Sequence, residues 1–248
     1  MSERPTEKAV LLTGAGGAIG QAVIERLEGA GFLVLTTDLV EIERPRHLRL
    51  DLSSGIPTAS AEEIALKEFI SSEAPSGLFA IVHNAAYQHL SDFREIRSND
   101  FVKSVGVNVL APLSLAQLFW DDLLESEGAF ISISSIHANL TKRKFLAYSV
   151  TKSALTGLVR ALSLESQGKI RVNGVAPAAI DTPMLRAGFK TGPEKMAQLS
   201  DMHPTGRIGT PGEVASLVLY LASEAPHFLN GAIIPLDGGI SNVLKDPI

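Results

Sequence analysis

The sequence contains no cysteine, which excludes disulfides, a thiolate-ligated zinc site and a thiol nucleophile. No metal site is expected. Basic clusters are also scarce: 22 Lys and Arg stand against 27 Asp and Glu, for a formal net charge of −5, and the tightest cationic run is Lys142-Arg143-Lys144. That run reads as a solvated loop, and the balance argues against a nucleic-acid partner. No uninterrupted apolar run approaches the roughly 20 residues that cross a bilayer, so no membrane partner is expected. The opening MSERPTEKAVLLTG lacks the apolar stretch of a signal peptide, and a cytoplasmic location is the expectation.

What is present suits one large α/β core. The chain has 248 residues, 45% of them hydrophobic, and no linker, low-complexity tract or short-period repeat divides it, so residues 1–248 are read as a single domain. Nearly continuous apolar runs predict strands at Lys8 to Thr13, Phe32 to Thr37, His47 to Leu50, Leu78 to Val82, Ala129 to Ile133, Ile170 to Val175 and Ala232 to Pro235. Helical patterns fill most gaps, the first at Ala18 to Glu28. Strands apolar on both faces imply a parallel sheet covered by helices on each side, a Rossmann-type doubly wound fold. The segment from Met184 to Thr210 is the least regular and reads as a substrate lid or an ordinary surface loop.

Two constellations carry chemistry. Thr13-Gly14-Ala15-Gly16-Gly17-Ala18-Ile19-Gly20 lies between the first strand and the first helix. Its backbone N–H groups and the helix N-terminus can approach a pyrophosphate, although a tight structural turn has the same composition. Asp38 closes the second strand, where a carboxylate accepts hydrogen bonds from an adenosine ribose or simply caps the strand end. A 2′-phosphate carries about two negative charges and needs a basic partner. The turn offers none, Leu39 follows Asp38, and Arg44 and Arg46 lie several positions on, so NAD is the expected cofactor. The second constellation is Tyr148-Ser149-Val150-Thr151-Lys152, whose four-residue step places phenol and ammonium on one helix face. A phenol needs a neighbouring positive charge to exchange a proton near neutral pH; the same spacing also occurs on ordinary surface helices.

From about Lys8 to Gly239 the sequence resembles the short-chain dehydrogenase/reductase family. The resemblance rests on TGAGGAIG, His83-Asn84-Ala85-Ala86, Asn108, Ile133-Ser134-Ser135, the YSVTK run, RVNGVAPAAIDTPM and Leu236-Asp237-Gly238-Gly239, in that order. It implies a catalytic set of Asn108, Ser135, Tyr148 and Lys152. Ser135 would polarise the carbonyl, with Ser134 as the fallback and Ser132 less favoured. Tyr148 would be general acid or base, Lys152 would hold the nicotinamide ribose and lower the tyrosine pKa, and Asn108 would position a water linking Lys152 to solvent. For the cofactor it implies Gly14, Gly17, Ala18, Ile19 and Gly20 at the pyrophosphate. Asp38 and Asp51 with Leu52 would lie at the adenosine, Asn84, Ala85 and Ala86 near the ribose, and Pro177, Ile180 and Thr182 near the carboxamide. Asp51 could instead cap the Ser53-Ser54 turn, and Asn84 could tie neighbouring strands.

The departures from the family pattern set further expectations. Ala18, Ala86 and Ala178 stand where the family has glycine, which requires that none of them adopts a positive φ. His83 replaces the first asparagine of Asn-Asn-Ala-Gly and reads as a satisfied core residue rather than a hydrogen-bond donor supporting the site from behind. Tyr87, Gln88, His137, Ala138, Asn139, Phe145 and the Met184 to His203 segment are expected to face the substrate, with Met184, Leu185, Phe189 and Met196 lining an acyl pocket or anchoring the lid. That mixture leaves sugar, polyol, oxoacyl and pterin-like substrates open, with a lean to a small polar one. Hydride transfer between NAD(H) and a secondary alcohol or carbonyl is the expected activity. The alternatives are a noncatalytic NAD(H)-binding regulatory or structural protein, and nucleotide-sugar dehydratase or epimerase chemistry, which belongs to longer relatives. The resemblance further implies a homotetramer, with a dimer second, built on helices near Asn99 to Leu124 and Ala147 to Glu165.

Overall fold

The computed structural model describes residues 8–187 and 193–244. Seven strands, β1 Ala9–Thr13, β2 Leu33–Asp38, β3 His47–Arg49, β4 Ala80–His83, β5 Ala129–Ile133, β6 Arg171–Pro177 and β7 Ile233–Leu236, form one parallel sheet in the order β3-β2-β1-β4-β5-β6-β7. All seven expected strands are present. The order reverses between β1 and β4, and this switch point at the carboxyl ends of the strands is where a doubly wound sheet opens a crevice.

Alternation along the strands divides the core in two. Leu11, Leu35, Ile81, Phe130 and Val172 point to one face, where they meet Leu66 of α2 (Ala61–Glu73), Leu115 of α4 (Ala111–Leu118) and Val159 of α6 (Leu146–Glu165). Val10, Leu12, Val34, Val82, Ile131 and Val175 point to the other. There they meet Val23 and Leu27 of α1 (Ala18–Gly29) and Val214, Val218 and Leu221 of α9 (Pro211–Ser223). Each face excludes water from a contiguous apolar layer, so both layers contribute to stability in proportion to the area they bury. The buried Arg171 guanidinium donates to the Leu221 and Ala222 carbonyls at the end of α9, which satisfies helix-terminal acceptors that lack an intrahelical partner.

The single long helix expected near Asn99 to Leu124 is segmented. It runs as α3 (Ser98–Val105), a π segment (Gly106–Leu110), α4 and α5 (Trp120–Glu125), with a break at Phe119. The cause is local. The Ala111 N–H reaches back to the Gly106 carbonyl in π register, and Pro112 follows with no N–H to donate. Residues 98–118 are long and apolar enough by composition to cross a membrane, with mean hydropathy 1.3, yet 44% of that window is buried in the fold, where it carries Asn108. The stretch from Met184 to Thr210 is more regular than expected, since α7 (Pro183–Ala187) and α8 (Pro193–Asp201) occupy much of it. Phe189 lies outside the described residues.

Gly106 opens the π segment because nothing larger fits there: a Cβ would stand 1.8 Å from the Ser53 carbonyl oxygen. Gly106→Ala is therefore expected to lower unfolding free energy by about 1–3 kcal/mol, the usual cost of forcing a methylene into a packed site. Urea denaturation measures it, and an unchanged midpoint contradicts the contact.

Candidate active site

The glycine turn is built by close approach. Gly14 has φ +69°, and a Cβ there would meet the Ala85 backbone at 2.8 Å. A Cβ on Gly20 would meet the Gly14 carbonyl oxygen at 2.3 Å. Helix α1 starts after Gly17 with no side-chain cap and no acidic residue in its first turn. Its first N–H groups are thus turned outward with no side-chain acceptor, beside a turn free of bulk, and this cradle fits the pyrophosphate of a dinucleotide. None of Ala18, Ala86 and Ala178 has a positive φ, so the alanines that replace family glycines carry no backbone strain.

Asp38 closes β2 beside that cradle. Its Oδ2 accepts from the Gly16 N–H at 2.9 Å and its Oδ1 from the Val40 N–H at 3.2 Å, so the carboxylate is aimed at the turn. Arg44 pairs with Glu28 at 2.7 Å and Arg46 with Glu73 at 3.5 Å. The basic residue nearest in register is Arg49, the Cα partner of Asp38 on β3, whose Nε donates to the Leu39 carbonyl. The sequence reading passed over it because β3 is recognised as a neighbour of β2 only once the sheet is assembled. Asp51 accepts from the Ser53 N–H at 2.8 Å and so caps that turn; Leu52 beside it is buried. Asn84 donates from Nδ2 to the Gly14 carbonyl at 2.8 Å, tying β4 to the glycine turn. Pro177 ends β6, Ile180 is buried, and Thr182 accepts from the Leu185 N–H at the start of α7.

Ser135, Tyr148 and Lys152 converge from β5 and α6. Of the three candidate serines, Ser135 lies against the Tyr148 phenol. Ser134 is instead tied to α6 through the Lys152 carbonyl at 3.5 Å and the Thr156 hydroxyl at 3.3 Å, and Ser132 is wholly buried in the sheet. The Lys152 amine, 1% exposed, donates to the Ile133 carbonyl at 2.7 Å and lies 5.6 Å from the centre of the Tyr148 ring. Burial holds its pKa down to about 7. Burial also pushes the Tyr148 phenol up to about 12, with the Ser135 hydroxyl pulling the other way. Among these protein groups desolvation of the phenolate dominates; the lowering expected from Lys152 is one it would exert together with a nicotinamidium.

Asn108 occupies the π segment, fully buried. Its Oδ1 accepts from the Tyr87 N–H at 2.8 Å, and its Nδ2 donates to the Tyr87 carbonyl at 3.0 Å and to the Thr151 hydroxyl at 2.9 Å. Both amide protons are spent, so the side chain locks the loop after β4 to the residue before Lys152. A water linking Lys152 to solvent, as expected at Asn108, would meet carbonyl oxygens of this residue rather than a side-chain N–H. Thr151 and Tyr87, as its partners, were not identified from sequence; the position of Thr151 beside Lys152 was the available signal. On the open side, His137 stacks on Phe145 at 4.4 Å, and Tyr148 meets both rings edge-on at 6.0 and 6.2 Å. Two of the expected substrate-facing side chains therefore wall the phenol.

A lysine whose pKa is lower in the fold than in the unfolded chain opposes folding most where both forms are protonated, and that penalty is relieved as pH rises from the folded value to the unfolded one. Stability should accordingly rise as pH rises from the folded value of about 7 towards the lysine's ordinary value of 10.5. Lys152→Met should flatten that slope in thermal melts. An equal slope in the variant would mean that the amine is not desolvated.

The family model described as enoyl-(acyl carrier protein) reductase matches residues 14–241. Glucose 1-dehydrogenase of Gluconobacter oxydans is 32% identical over 96% of this chain and 94% of its own. Among solved structures, ligand-free aldohexose dehydrogenase of Thermoplasma acidophilum superposes with a TM-score of 0.89 at 26% identity over 98% of both chains. A gluconate 5-dehydrogenase of Burkholderia cenocepacia, in complex with NADP and tartrate, shares the fold with a TM-score of 0.85 at 24% identity over 97% of this chain and 98% of its own. With the glycine cradle and the Ser135, Tyr148 and Lys152 cluster in place, the chain is an oxidoreductase and belongs to the short-chain dehydrogenase/reductase family.

Proposed function

We propose that this oxidoreductase interconverts a secondary alcohol and a carbonyl on a small polyhydroxylated substrate, a sugar or polyol, with NAD(H). The observation that carries the reading is the Ser135 hydroxyl lying against the Tyr148 phenol above the buried Lys152 amine. When bound, the nicotinamide supplies or accepts the hydride. Ser135 donates to the carbonyl oxygen and fixes its position. A phenol that keeps its proton well above neutral pH can hand it to the developing alkoxide, and the same oxygen takes it back during oxidation. On this reading Lys152 donates to ribose hydroxyls from α6, and Asn108 holds the loop after β4 against Thr151, so the reacting groups are oriented before substrate arrives. The substrate class is supported by the glucose and aldohexose dehydrogenases among the relatives, and by His137, whose Nδ1 is buried without a partner beside Tyr148.

Preference for NAD rests on Asp38, whose carboxylate would repel a 2′-phosphate. NADP is the second reading, because Arg49 stands beside Asp38 in register. NADH fluorescence titrations against NADPH decide it. Tighter NADH binding is expected, with Asp38→Ala narrowing the gap by at least about tenfold, equivalent to about 1.4 kcal/mol; tighter NADPH binding by the unaltered protein overturns the assignment.

Turnover is tested by nicotinamide absorbance over aldoses, polyols, ketoses, hydroxy acids, oxoacyl thioesters and dihydropteridines. A sugar or polyol should react, and Tyr148→Phe should lose at least about a hundredfold in kcat, the span of general acid–base catalysis. Activity confined to oxoacyl thioesters would contradict the substrate class.

We also propose a homotetramer, with a dimer second. Val102 on α3 and Leu146 on α6 are exposed apolar side chains that line one hollow, and Leu110 of the π segment and Val150 of α6 are exposed apolar side chains on elements that pack together, the composition of an interface between symmetric copies. Sedimentation at micromolar concentration should give a tetramer, and a monomer would contradict it.

A further inference from the structure

The histidine that replaces a family asparagine is not a passively satisfied core residue. His83 ends β4 with no exposed surface. Its Cα partners are Thr13 on β1 and Ser132 on β5, and neighbours in register project to the same face of a parallel sheet. That face is the one covered by α4 and α6, since Leu11, Ile81 and Phe130, two residues earlier on the three strands, belong to that half of the core.

Proton counting fixes the tautomer. The Thr13 hydroxyl accepts from the Asn84 N–H at 3.1 Å and from the Ala85 N–H at 3.0 Å. With both lone pairs taken, its single proton must go to the third neighbour, His83 Nδ1, at 3.2 Å. Nδ1 is therefore the acceptor and Nε2 carries the hydrogen. The imidazole is neutral, its pKa driven down to about 3 by burial first and by the Lys152 charge second, the charged group that faces it from α6.

The Nε2–H has no partner at full hydrogen-bond geometry. The backbone group that bears on the ring is that of Val107, and with Nδ1 taken by Thr13 the nitrogen left to meet its carbonyl is Nε2. That carbonyl lacks its helical donor for a reason visible in sequence. The Ala111 N–H is spent on Gly106, and the next donor in π register would come from residue 112, which is proline. A buried donor without an acceptor thus confronts a carbonyl without a donor, and each is costly to leave unpaired.

We propose that His83 is a positioning residue that clamps the π segment: Nδ1 is held by Thr13 under the cofactor cradle, and Nε2–H closes onto the Val107 carbonyl next to Asn108. One imidazole then links the loop that lines the cofactor site to the turn that orients Asn108, and through Thr151 to α6, which carries Tyr148 and Lys152. Asparagine is too short to span both contacts, because its amide reaches only the Nδ1 position, whereas glutamine reaches the Nε2 position. The inference rests on the oxidoreductase reading for its catalytic consequence, but not for its geometry.

The geometry is tested by nitrogen NMR of histidine-labelled protein, which distinguishes a protonated from an unprotonated ring nitrogen. An Nε2–H tautomer of His83, unchanged by pH across the folded range, is expected; an Nδ1–H tautomer or a titrating ring overturns the clamp. Its consequence is tested with His83→Asn and His83→Gln. His83→Asn should lower kcat about tenfold, the worth of one neutral hydrogen bond lost from the oriented state, with the NADH dissociation constant little changed, and His83→Gln should recover most of the loss. A His83→Asn variant with unaltered kcat, or a His83→Gln variant as impaired as His83→Asn, overturns the proposal. Tyr148→Phe separates the two readings: if it abolishes turnover while His83→Asn is silent, only the clamp fails.

Discussion

Everything at the site depends on the parallel register of β1, β4, β5 and β6. Because the strands run in one direction, their carboxyl ends lie at one edge, and Thr13, His83 and Ser132 fall side by side, with Ile133 one residue beyond. That edge receives the glycine turn from one side and the Lys152 amine from the other. The amine is anchored on a β5 carbonyl and stripped of water, so the charge that the chemistry uses is held where the fold would rather have none. The cost is borne by the two apolar layers on either side of the sheet.

A second constraint is the interruption of the helix over residues 98–118. Gly106 permits contact with Ser53, the wide turn follows, and Pro112 withholds a backbone donor. An uninterrupted α-helix would rotate Asn108 away from Tyr87 and Thr151. The site thus accepts poorer helical hydrogen bonding in return for an amide held by three contacts, the kind of local departure from regular geometry that gathers at functional positions. The same helix presents Val102 and Leu110 outward, so one element serves both the site and the surface proposed to meet another copy.

Much of this was legible in the sequence. The apolar runs located all seven strands: β1, β2, β4, β5 and β6 are buried along most or all of their length, and the half-buried edge strands β3 and β7 still carry short apolar runs. The glycine turn, Asp38 and the Tyr148 to Lys152 step were legible because each motif lies within one or two elements. What escaped were relations between elements. Arg49 neighbours Asp38 only through the β2–β3 pairing. The partners of Asn108 are a backbone group and a threonine that no motif singles out. The helix containing residues 106–112 read as continuous because hydrophobic periodicity is insensitive to a single wide turn. His83 was read as satisfied, and half of it is: Nδ1 has Thr13, and the other nitrogen became informative only with the π segment in view. The desolvation of the phenol was not legible for a related reason, as a four-residue step brings Lys152 near Tyr148 but does not reveal that both are deprived of water.

The central claim is that this cluster carries out hydride transfer with proton delivery from Tyr148, and mass spectrometry of the product formed from NADH deuterated at the nicotinamide C4 position tests it most directly. One deuterium on the new carbinol carbon, transferred by the unaltered protein and not by Tyr148→Phe under single-turnover conditions, is the predicted result. Product free of label, or equal label transfer by the variant, would contradict the account.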